Sequence, residues 1–63
     1  MLIELEVSGI GAALKAERVV RNLKLYQVAG RIGMEPSRLR NIERGRTEPS
    51  AELVTRIRQA IRG

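Results

Sequence analysis

At 63 residues the chain makes one small domain with a modest core; Tyr26 is its only aromatic residue, and it has no Cys and no His. That composition excludes a disulfide scaffold, thiolate chemistry and a zinc site of the usual kind. Twelve basic residues against seven acidic ones give a net charge of +5, which favours a polyanionic partner.

The charge is unevenly spread, because residues 1–7 hold two glutamates and no cation. Within them Ile3, Leu5 and Val7 alternate with Glu4 and Glu6 at the period of a half-buried strand. A lone strand leaves its backbone groups unpaired. Residues 1–7 are therefore expected either to pair with a second copy, burying Ile3, Leu5 and Val7 in a dimer, or to lie as an arm on residues 8–63. Ser8-Gly9-Ile10-Gly11 breaks the strand, with Ser8 or Gly9 as the cap of a first helix. A strand, Gly-x-Gly and a helix also open dinucleotide-binding units, but here Leu14 takes the third glycine's place and no second strand follows.

The first helix is expected from Ile10 to Arg21, with Ile10, Leu14 and Arg18 on one face, and ends at Asn22, which tolerates left-handed backbone. Leu23 then enters the core. Val19 and Val20 are either simply exposed or cover the N-terminal segment or a partner. A second helix from Leu25 to Ile32 starts after Lys24, which sets a cation at the positive end of the helix dipole; a bound phosphate would offset it. Gly30 inside this helix costs about 1 kcal/mol relative to alanine, and a close approach is the one reason available for it.

Gly33-Met34-Glu35 separates the second helical pattern from a third. A helix that ends on glycine, turns in three residues and restarts with Pro36 in its first turn is a helix-turn-helix signature. Ala29, four residues before the glycine, lets the two helices cross closely. In the third helix, from Pro36 to Arg44, Leu39 and Ile42 face inward, so Ser37, Arg38 and Asn41 project outward. Arg38 suits the O6 and N7 of guanine, Asn41 suits adenine and Ser37 either base. Arg40, Arg44 and Arg46, with Thr47, suit phosphate. Glu35 suits a cap and the helix dipole. Gly45 ends the helix, Pro49 marks a loop, and Ser50 caps a last helix to Arg62 with Val54, Ile57 and Ile61 inward and Arg56, Arg58 and Arg62 on a solvated face.

Ala29, Gly33, Leu39, Ile42, Glu43, Gly45 and Pro49-Ser50, with Arg18 and Leu23 upstream, follow the order and spacing of a known family. From Ile10 to Ile61 the chain resembles the phage lambda repressor and Cro-like (XRE-type) helix-turn-helix family. The resemblance implies an all-α, compact four-helix domain, here with a short N-terminal β-strand or arm. It implies base reading from the positions of Pro36, Ser37, Arg38 and Asn41, although Pro36 has no hydrogen-bonding side chain. Leu25 stands where the family often has a glutamine that contacts the DNA backbone, so Tyr26 or Gln27 is left to replace it. Arg18 and Glu43 match a structural ion pair of related domains. Many relatives carry a fifth helix; with none expected here, the dimer contact falls to the N-terminal strand.

The implied function is sequence-specific transcriptional regulation by a small Cro-like repressor. It would bind the major groove of a palindromic operator in double-stranded DNA as a homodimer, in the cytoplasm at the nucleoid. Two other readings stand beside it: an antitoxin that represses its own operon, and a protein-interaction module that has lost DNA binding. Without His, Cys or Asp the chain shows no nucleophile and base pairing, so no enzyme activity, cofactor, metal or small-molecule substrate is expected. No apolar run approaches the roughly 20 residues of a membrane span, and no secretory signal pattern is present.

Overall fold

The structure, a computed structural model, describes the backbone of residues 2–63 and the side chains of residues 9–63. Four helices follow one another: α1 (Leu2–Val20), α2 (Leu25–Arg31), α3 (Pro36–Glu43) and α4 (Ala51–Arg62). α1 packs on α3 and α4, and α2 packs on the same two, so the helix-turn-helix pair α2–α3 is braced from both sides.

α1 reaches back to Leu2, across a non-helical Gly9 (φ 57°, ψ −150°), where the alternating pattern had predicted a strand. A helix satisfies its own backbone groups, whereas a strand needs a neighbour. The expected dimer contact of Ile3, Leu5 and Val7 lies outside the residues whose side chains are described. Gly11 lies inside α1, within the span expected for the first helix. A Cβ on it would stand 2.1 Å from the Ile42 carbonyl oxygen, so the missing side chain is what lets α1 lie against the end of α3.

The first three helices stop in one way. Asn22, Gly33 and Gly45 each adopt left-handed backbone, with φ of 61°, 66° and 80°. After α1, Leu23 N–H donates to Arg18 O (3.2 Å) and Asn22 N–H to Val19 O (2.9 Å). After α2, Met34 donates to Ala29 O (2.8 Å) and Gly33 to Gly30 O (3.3 Å). After α3, Arg46 donates to Asn41 O (2.9 Å) and Gly45 to Ile42 O (3.1 Å). These are three Schellman motifs, in which the reversal of the chain satisfies carbonyls the helix leaves open.

The core holds Leu14, Val28, Ala29, Leu39, Ile42, Ile57, Ala60 and Ile61, with Ile10, Leu23, Leu25, Ile32, Met34, Leu53 and Val54 packed around it. Fully buried Ala29 fits the close crossing that its small side chain predicts. Gly30 does not share that reason: nothing lies within 4 Å of a Cβ built on it, so the expected close approach is absent. Ser50 caps α4, its Oγ accepting the Leu53 N–H at 3.1 Å. Glu35 holds the corresponding position on α3 through its backbone alone.

On α4 the expected solvated face holds for Arg56 and Arg62, which are exposed, and gives way at Arg58. Arg58 reaches α1, where its Nε lies 3.1 Å from Glu17 Oε2. Arg56 donates to the Ile32 carbonyl at 3.5 Å, and Arg31 on α2 donates to the Ala60 carbonyl on α4. Each of α2 and α4 thus sends an arginine to a carbonyl near the other's C-terminus, where a cation also meets the negative end of the dipole. Among the described residues no helix is long and apolar enough to cross a membrane.

Candidate nucleic-acid interface

α3 is the centre of the candidate site. Burial of Leu39, Ile42 and Glu43 fixes its rotation, and at about 100° per residue this turns Ser37, Asn41 and Arg44 away from the core. Ser37 and Arg44 are exposed and Asn41 is half-buried. The arginines between them divide. Arg38 lies on the flank toward α4, lining a groove with Ser50, Glu52 and Arg56, while Arg40 lies on the flank toward α1. The sequence pattern alone had grouped Arg38 with Ser37 and Asn41; the fold sets it to one side of that ridge.

Glu43 anchors this rotation. Its Oε2 accepts from Arg18 Nε at 2.8 Å and its Oε1 from Arg18 Nη2 at 3.0 Å, a bidentate pair across 25 residues of sequence. The third arm of the guanidinium donates to the Leu23 carbonyl at 2.8 Å. Side-chain exposures of 12% for Arg18 and 5% for Glu43 make this a largely buried pair with its hydrogen bonds filled. One residue therefore ties together the end of α1, the loop after it and α3.

Arg46 and Thr47 follow α3 and are exposed. Arg46 takes the position just after the left-handed residue of the third Schellman motif. The matching residues of the first two, Leu23 and Met34, pack on the core. An apolar contact commonly accompanies the motif, and here it is replaced by a cation held in place by its own backbone N–H.

At the start of α2 the structure separates the two residues that sequence reasoning left as equals. Gln27 turns back so that its Oε1 accepts the Lys24 N–H at 2.7 Å, the N3 half of a capping box at the start of its own helix. Tyr26 is 64% exposed, with its hydroxyl unpaired among the described residues. The signal for the Gln27 cap was its position three residues after Lys24.

Two further residues at this face escaped the sequence reading. Lys15 of α1 lines the same groove as Arg40 and Arg44, and Arg56 of α4 shares the opposite groove with Arg38. Neither has a local signal, since only the packing of α1 and α4 on α3 brings them there.

The family model described as a helix-turn-helix domain matches residues 10–62. Comparison with curated proteins and with solved structures gives no match. The matched span contains the α2–α3 turn, the braced α3 and the closing α4, so the chain belongs to the DNA-binding helix-turn-helix domain family, with the four-helix arrangement of its lambda-repressor-like members.

Proposed function

We propose that this protein is a sequence-specific transcriptional repressor of the small Cro-like kind, acting at the nucleoid. It binds a palindromic operator as a homodimer, with half-sites about 34 Å apart on one face of the duplex. α3 enters the major groove; Ser37, Arg38 and Asn41 read bases, and Arg40, Arg44, Arg46, Thr47, Tyr26 and Gln27 hold the backbone. Ile3, Leu5 and Val7 supply the contact between protomers.

The observation that carries this reading is the surface of α3: a polar ridge whose two flanks each hold an arginine, on a helix whose rotation is anchored by the Arg18–Glu43 pair.

Selection of binding sites from a random duplex library at near-physiological salt tests it. The expected pool is enriched in a palindrome with a guanine in each half-site. Retention without enrichment overturns base reading and favours the antitoxin alternative, in which backbone contacts dominate until a toxin partner binds. Sedimentation at micromolar concentration, with and without residues 1–7, tests the dimer contact; equal masses for the two forms refute it.

A further inference from the structure

α1 and α3 meet at Gly11, whose backbone lies against the carbonyls of Ile42 and Glu43. From that contact two stripes run side by side. On α1 the stripe is Ala12, Lys15, Ala16 and Val19; on α3 it is Arg40 and Arg44, one turn apart. Between them lies a groove of about 620 Å³, also lined by Leu25 of α2.

Ala12, Ala16 and Val19 give the groove an apolar lining, of the kind along which the stems of long cationic side chains pack while their charged heads stay in water. Its one acid, Glu43, has both carboxylate oxygens occupied by Arg18. Lys15, Arg40 and Arg44 are all exposed, and no carboxylate among the described residues pairs with any of them. Three cations without a counter-charge around one groove form a seat for a polyanion. The groove is continuous with the outer ridge of α3 through Arg44, so the polyanion that reaches it is the one α3 already engages.

We infer that α1 is part of the nucleic-acid interface, and that Lys15, with Arg40 and Arg44, holds the phosphates of one DNA strand beside the recognition helix. The inference rests on the DNA-binding reading above. A phosphate contact of this kind adds affinity without sequence preference. It also widens the footprint, since the strand is then gripped by α1 as well as by α3.

The test compares wild type, Lys15→Gln, Lys15→Arg and Arg62→Gln on a random-sequence duplex and on a duplex taken from the selected pool, over 50 to 200 mM salt. Lys15 is exposed, so its variants keep the fold. Lys15→Gln is expected to weaken binding several-fold and equally on both duplexes, and to lower the slope of log affinity against log salt by about 0.9. Lys15→Arg is expected to retain both. Arg62→Gln removes the same charge outside the groove and reports the effect of net charge alone. If Lys15→Gln is indistinguishable from Arg62→Gln while wild type binds, this inference is wrong and the DNA-binding reading survives. If Lys15→Gln changes the preference between the two duplexes, Lys15 touches bases and the phosphate seat is wrong. A wild type that binds no duplex overturns both.

Discussion

Replacing Gly11 by alanine inserts a methyl group where α1 has no room for one. The new Cβ would stand 2.1 Å from the Ile42 carbonyl oxygen and 3.0 Å from that of Glu43, whereas ordinary contact begins near 3.4 Å. The helices must therefore part by about 1.3 Å at this point, and the obstacle is backbone that cannot rotate away. Overpacking of this kind costs about 1 to 3 kcal/mol, set against a gain of up to about 1 kcal/mol from alanine's better helix propensity. Parting α1 from α3 also stretches the Arg18–Glu43 pair, which spans the same two helices. A 2.1 Å approach to backbone puts the cost at the upper end of that range, so the expected net loss is about 1 to 2 kcal/mol, which in a domain this small lowers the melting temperature by roughly 4 to 16 °C.

Gly30→Ala is the matched control. It also lies inside a helix but has nothing within 4 Å of its added Cβ, so propensity acts alone and the melting temperature should rise by roughly 4 to 8 °C. Thermal unfolding followed by circular dichroism measures both. A Gly11→Ala protein that melts at or above the wild-type temperature would refute the close approach of α1 and α3, and with it the groove that approach creates.

Arg18→Met leaves Glu43 buried without its partner and should cost about 3 to 5 kcal/mol, while Arg18→Met combined with Glu43→Leu should recover most of that loss. An unchanged melting temperature for Arg18→Met counts against the pair as a buried anchor. Ser50→Ala removes the cap of α4 and should cost about 1 kcal/mol, seen as a lower urea midpoint at an unchanged m-value; no shift would mean that the Leu53 N–H finds another acceptor.

What the amino-acid sequence determined by itself is local. Asn22, Gly33 and Gly45 mark where helices stop because few residues adopt left-handed backbone cheaply, and Pro36 and Ser50 mark restarts because they suit a first turn and a cap. Leu39 and Ile42 set the buried side of α3, so Ser37 and Asn41 are legible as its outer ridge from their spacing alone. The packing decided what depends on neighbours far along the chain. Gly11 and Gly30 are alike as letters, yet one is held by backbone 31 residues away and the other faces open space. Arg58 reads as solvated until α4 lies beside Glu17, 41 residues earlier. Arg38 and Arg40 read as two cations of one helix until α4 and α1 flank it and send them to different grooves. Periodicity fixes which side of a helix is apolar, but which residues meet across two helices follows from how closely their backbones approach, and here an absent side chain at Gly11 sets that distance.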